Sequence, residues 1–204
     1  HYENISTESA TLKVKTHIRN DSDKEQSVKL VHILKDVSGR ETAKVISAHT
    51  LQKNSAQHYE SEATVANPIL WDIHKPYIYM LETELYTDGV LTDNILTQTG
   101  IKTVEFTLEN GTIFNGKSRR INGANYHQTY PYIGNGVPIS LLKRDMLKLK
   151  DVGMENIRSH YPFSASLVEF CNEIGMTLIV SNIGWQFCKY GIFFERVCKN
   201  MRDI

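Results

Sequence analysis

The feature that most constrains this chain is a change of hydrophobic period near residue 100. Before it, apolar and polar residues alternate. After it, apolar residues recur at intervals of three and four between short runs of alternating or β-branched residues. Successive side chains on a strand point to opposite faces, whereas a helix brings residues three and four apart together. The two halves therefore cannot share one kind of secondary structure.

In the first half, Leu12, Val14 and Ile18 fall on one face of segment 11–19, and Val28, Leu30, His32 and Leu34 on one side of 28–35. Asn20-Asp21-Ser22-Asp23 and Asp36-Val37-Ser38-Gly39 close these segments with residues whose short side chains bond their own backbone in turns. Further strands are expected at 43–48, 58–65, 77–87 and 94–99. Asp88-Gly89, between Tyr86 and Val90, predicts a hairpin, because glycine tolerates the positive φ that such turns demand. Regular strands with turn signals and no helical period predict an all-β, immunoglobulin-like sandwich over residues 1–102. No cysteine lies in this half, so the inter-sheet disulfide of antibody domains is missing.

Beyond residue 102 the unit becomes strand then helix. Segment 119–124 reads as a short strand. Leu141, Leu142, Met146, Leu149, Lys150 and Val152 follow helical spacing, with Gly153 placed to end that helix. The pattern recurs as a strand at 156–159, a helix at 164–174 ending on Gly175, a strand at 176–180 and a helix at 192–204. Such alternation indicates βαβ units and a parallel sheet. About three units fit here, whereas a closed (β/α)8 TIM barrel takes about 250 residues. The expected architecture is the sandwich followed, over 103–204, by the N-terminal α/β units of an incomplete barrel. Such an opened barrel leaves a sheet edge and apolar helix faces uncovered, so residues beyond 103 are expected to be mobile or held in a homo-oligomer through that edge.

Composition excludes several roles. The 23 Lys and Arg balance 23 Asp and Glu for a formal net charge of +0, which removes the basic footprint of a nucleic-acid or anionic-membrane binder. No apolar run approaches the roughly 20 residues that span a bilayer, the segment 176–180 being only five long with Thr177 inside it, so no membrane partner is expected. The chain starts at His1 with a polar stretch unlike a signal peptide. A periplasmic or secreted location is preferred, on the reading that His1 follows a segment removed upstream. Cys171, Cys188 and Cys198 match neither a disulfide framework nor a zinc site and read as free thiols. No dinucleotide, P-loop, nucleophile-elbow or zinc-helix motif occurs, and no metal or cofactor is expected.

Five ordered motifs carry a resemblance. Asn67-Pro68-Ile69-Leu70-Trp71-Asp72, followed by Pro76-Tyr77-Ile78-Tyr79, resembles the segment near the end of the sandwich domain that precedes the barrel in glycoside hydrolase family 2. Gly100-Ile101-Lys102 stands at that family's domain junction, and Phe114-Asn115-Gly116-Lys117 follows it. Gly123-Ala124-Asn125-Tyr126-His127-Gln128 is similar to the family's first barrel strand end. Asn156-Ile157-Arg158-Ser159-His160-Tyr161-Pro162, with Cys171-Asn172-Glu173-Ile174-Gly175 behind it, is similar to its second.

The resemblance implies a β-galactosidase, β-glucuronidase or β-mannosidase type of enzyme that cleaves a β-linked carbohydrate substrate with retention, β-galactosidase preferred. That chemistry needs an acid/base and a nucleophile about 5 to 5.5 Å apart. In the family both are glutamates on later barrel strands, so no catalytic residue is assigned here and the chain by itself is expected to be inactive. Three departures stand out. Arg158 and His160 are one residue closer than in the usual motif, Gln128 replaces a glutamate, and Ser181-Asn182-Ile183-Gly184-Trp185 occupies a position where many relatives carry an acidic pair. A metal site is therefore not carried over to that loop.

The substrate-binding candidates are His127, Arg158, His160, Trp185 and Asn125. His127 follows the first barrel strand, at the rim where barrel active sites are built; its alternative is a loop histidine satisfying local backbone. Arg158 and His160 can hold sugar oxygens or orient a carboxylate, or else form a structural pair supporting the strand end. Trp185 can stack on a sugar face or pack the rim, and Asn125 can brace the loop of His127. Tyr161-Pro162 sets the direction of its loop. Trp71 reads as core, and His17, His32 and His58 as surface or core fillers. The competing function is a non-catalytic immunoglobulin-like module that binds carbohydrate or a partner, or serves as a scaffold.

Overall fold

The computed structural model describes residues 1–181 and 191–203. The chain divides into two compact units, one of His1–Asp72, Tyr77–Glu105 and Phe114–Gly116, the other of Ile73–Pro76, Phe106–Ile113 and Lys117–Ile204.

Seven strands build the first unit: β1 (Tyr2–Glu3), β2 (Ser9–Asn20), β3 (Gln26–Lys35), β4 (Glu41–Leu51), β5 (Ser55–Ala66), β6 (Tyr79–Thr87) and β7 (Val90–Thr99). They form two antiparallel sheets in the orders β1-β2-β5 and β4-β3-β6-β7. The predicted strands are present; most run a few residues longer than the alternation indicated, because ladder pairing continues into the flanking residues, whereas the strand expected at 77–87 begins only at Tyr79. Asp88 and Gly89 both have positive φ, 51° and 81°, the hairpin geometry their sequence predicts. Alternation buries Leu12, Leu34, Val65 and Tyr79 in one cluster and Ile18, Val28, Leu30 and Tyr59 in a second. His32 is buried on the same strand face, its Nδ1 3.0 Å from Thr83 Oγ1.

Trp71 is core, as expected, only 3% exposed. Its ring lies 5.9 Å from that of Phe114, and its carbonyl accepts a 3.0 Å bond from the Asn115 side chain. Asn115 Oδ1 accepts in turn from the Thr103 N–H at 3.0 Å. Three short strands that alternation did not reveal follow in the chain: β8 (Val104–Thr107), β9 (Gly111–Phe114) and β10 (Lys117–Ser118), in the order β10-β9-β8.

The second unit holds a parallel sheet, β11 (Gly123–Asn125), β12 (Asn156–Ser159) and β13 (Thr177–Val180), in that order, with helices α1 (Ile139–Asp151), α2 (Ala165–Ile174) and α3 (Ile192–Asp203). The strand expected at 119–124 is found instead at Gly123–Asn125, the three residues that pair with β12, and overlaps the expected range only at Gly123 and Ala124. Ile157 is fully buried with Leu142, Met146, Leu167 and Cys171, so alternate residues of β12 face the helices. Arg158, between Ile157 and Ser159, takes the opposite face with its register partners Asn125 and Ile179. Gly175 ends α2 in the left-handed region at φ 74°. The Lys150 ammonium donates to the carbonyls of Gly175 at 2.7 Å and Ile73 at 2.9 Å. No helix among the described residues is long and apolar enough to cross a membrane.

Candidate functional site

Parallel pairing sets the C-terminal ends of β11 and β12 side by side, and the chain bonds them together just past the ladder. The Tyr126 N–H donates to the Arg158 carbonyl at 2.9 Å. His127 follows Tyr126, and His160 follows β12, so residues far apart in sequence meet: their rings stack with centroids 5.1 Å apart at 25°. Arg158 Nη1 lies 3.4 Å from His160 Nε2. A guanidinium can only donate, so in this contact the His160 nitrogen is the acceptor.

Tyr161 completes the group. Its hydroxyl accepts from the Gln128 N–H at 2.9 Å and stands 3.4 Å from His127 Nδ1. Its own N–H donates to Ser159 Oγ at 3.3 Å, on a fully buried serine. The Gln128 side chain donates to the Pro162 carbonyl at 3.3 Å, so the residue standing in place of a glutamate ties one strand-end loop to the other. Asn125 is exposed beside Arg158 in register. Trp185 lies outside the described residues. The structure thus brings His127, Arg158 and His160 together and places Asn125 on the same sheet face as Arg158.

Sequence reasoning assigned Tyr161 only a loop-directing role. Strand alternation would turn it away from His160, but β12 ends at Ser159 and alternation stops with it. A second group went unread altogether. Tyr126 donates its hydroxyl to Asp145 Oδ2 at 3.0 Å, and Tyr130 donates to the same oxygen. Arg144 Nη2 donates to the Tyr130 hydroxyl at 3.1 Å. Burial opposes ionisation of Asp145, but the bonds from Tyr130, Tyr126 and Arg144 outweigh it and hold the carboxyl below its ordinary range. Burial and the Asp145 bond push the Tyr126 phenol well above its own.

Chemically, the strand-end group offers guanidinium donors, imidazoles and a phenol in one exposed arc, which suits a ligand dense in hydroxyl groups. None of Asn125, His127, Arg158, His160 and Tyr161 is a carboxylate; together they offer hydrogen-bond donors, acceptors and a positive charge.

Comparison with known proteins agrees with this architecture. The family description "Glycosyl hydrolases family 2" matches residues 2–102, and "Glycosyl hydrolases family 2, TIM barrel domain" matches residues 106–188. A beta-galactosidase of Thermoanaerobacter pseudethanolicus is 33% identical over 156 residues, which is 76% of this chain and 21% of the relative. A beta-galactosidase of Bacteroides ovatus is 30% identical over 176 residues, 86% of this chain and 21% of its own. Among solved structures, Bacteroides uniformis beta-glucuronidase 2, covalently bound to cyclophellitol-6-carboxylate aziridine, superposes with a TM-score of 0.84 at 28% identity. That match covers 88% of this chain and 22% of the other. The chain spans about a fifth of the length of the curated relatives it matches. With a sandwich, parallel βα units and two matching descriptions covering most of its residues, the chain belongs to glycoside hydrolase family 2.

Proposed function

We propose that this chain supplies the sandwich and one edge of the sugar pocket of a retaining β-glycosidase, with β-galactosides as the preferred substrate. The observation that carries the reading is the stacked His127–His160 pair with Arg158 and Tyr161 at the C-terminal ends of adjacent parallel strands. Barrel active sites are built at that end of the strands. Arg158 donates to sugar oxygens, His127 and His160 exchange hydrogen bonds with ring hydroxyls, and Asn125 adds an amide from the same face. The two carboxylates that retention requires about 5 to 5.5 Å apart are expected on later barrel strands. The two beta-galactosidases among its curated relatives support galactose, and the solved Bacteroides uniformis beta-glucuronidase makes glucuronic acid the alternative.

A second reading, a non-catalytic module that binds carbohydrate or a partner, draws on the lack of a carboxylate among the five site residues. Two measurements decide. The purified chain is expected to bind methyl β-D-galactoside weakly, with chemical-shift changes at 127, 158 and 160. Arg158→Ala should weaken that binding about tenfold, the loss of a charged hydrogen bond. No shift at these residues with galactoside, glucuronide or mannoside would overturn the sugar-site reading. The chain alone should not hydrolyse nitrophenyl β-galactoside; measurable turnover would place the carboxylate pair within these residues.

A further inference from the structure

We propose that Asp145 is a positioning residue for the sugar-binding edge: by accepting hydrogen bonds from Tyr126 and Tyr130 it fixes the loop that carries His127. The inference rests on the reading of His127 as a sugar contact and adds the residue that holds it in place.

Tyr126 is the hinge of the arrangement. Its backbone N–H is bonded to β12 through the Arg158 carbonyl, and its ring packs against the buried cluster of Leu142, Met146 and Ile157. Tyr126 packs inward against that cluster while the next residue, His127, is exposed, so the anchor on Tyr126 holds the backbone from which His127 projects. That anchor ends on Asp145 of α1 at 3.0 Å. Tyr130, four residues on, reaches the same carboxylate oxygen. Arg144 donates to the Tyr130 hydroxyl, which leaves the phenolic proton for Asp145.

Tyr130 is also where the loop closes on itself. Its N–H and carbonyl exchange bonds with Gly134 at 3.0 and 2.9 Å. The turn between them carries Tyr132 at a φ of 70°, with its side chain fully exposed. One carboxylate on a helix therefore secures both the root of the loop and the neck of its tip. His127 sits between those two fixed points, next to the root. A residue that only stabilised α1 would not need two donors drawn from the adjoining loop.

The test uses Asp145→Ala, Asp145→Asn and the double variant Tyr126→Phe/Tyr130→Phe in the 204-residue chain. In Asp145→Ala, amide exchange over residues 127–137 should rise about tenfold, the cost of one hydrogen bond to a charged group, while β12 and α2 keep their protection. The His127 ring signals should shift or broaden. Asp145→Asn, which keeps an acceptor oxygen in place, should restore most of both. Unchanged loop exchange and His127 signals would overturn the proposal. So would a uniform rise across the unit that Asp145→Asn does not repair, the mark of a merely structural role. If Asp145→Ala does not fold, the double Tyr→Phe variant removes both donors without altering α1 and is read the same way. A loop response in a chain that binds none of the methyl β-D-galactoside, glucuronide and mannoside supports Asp145 and rejects the sugar reading alone.

Discussion

Gly175 and Gly153 both stand in the left-handed region after a helix, at φ 74° and 84°, yet their substitutions should differ sharply. A Cβ on Gly175 would fall 2.1 Å from the Ile73 carbonyl oxygen, whereas nothing lies within 4 Å of one on Gly153. Gly153→Ala carries only the backbone penalty, about 1 kcal/mol, and Gly175→Ala should cost about 3 kcal/mol or more because a buried segment must also shift. Denaturant midpoints measure both, and equal losses would show that the Ile73 segment yields freely. His32 gives a pH signature. Burial lowers its pKa from 6.5, so below that pH the unfolded chain takes up a proton that the folded chain refuses. Its share of the stability is complete above 6.5 and drains away as pH falls through the folded value. His32→Leu should flatten part of the decline as pH falls below about 6.5; an identical decline in both proteins would exclude His32 as its source.

At the scale of elements, short-range chemistry explains where the helices stop better than where they start. Gly175 ends α2 and its N–H bonds the Cys171 carbonyl, as its sequence position indicates. Ser164 occupies the N-cap of α2 but makes no side-chain cap bond. Ser164→Ala should therefore cost less than about 0.5 kcal/mol, against the typical 1 kcal/mol for a working cap. A loss near 1 kcal/mol in urea melts would mean that the hydroxyl caps in solution. The α1 helix has Pro138 before its first turn and Lys148 and Lys150 in its last, a charge placement that favours the carbonyl end. Lys150 does more than complement that end, because its ammonium is committed to the carbonyls of Ile73 and Gly175.

At the scale of the whole molecule, the first compact unit also takes in Phe114–Gly116. Phe114 is 3% exposed against Trp71, and Asn115 bonds both Trp71 and Thr103. A chain of residues 1–116 should thus be more stable than one of 1–102 by about 2 kcal/mol, the burial of one aromatic side chain. Equal thermal midpoints would show that the sandwich is complete without this segment.

What the sequence determined by itself was local: the period of each segment, the turn at Asp88-Gly89, the stop at Gly175 and the span of β12. These follow from each residue's own backbone preference and from which neighbours share its face. The hairpin at β8 and β9 was not legible because its four-residue strands are mostly exposed and bury no alternating face, whereas β12, equally short, alternates buried Ile157 and Ser159 with exposed Arg158. The encounter of His127 with His160, the turn of Tyr161 back toward His127, and the convergence of Tyr126 and Tyr130 on Asp145 were decided only by the tertiary structure. Each depends on the register of β11 against β12 and on α1 lying beside them, and neither is written in the spacing of residues along one strand.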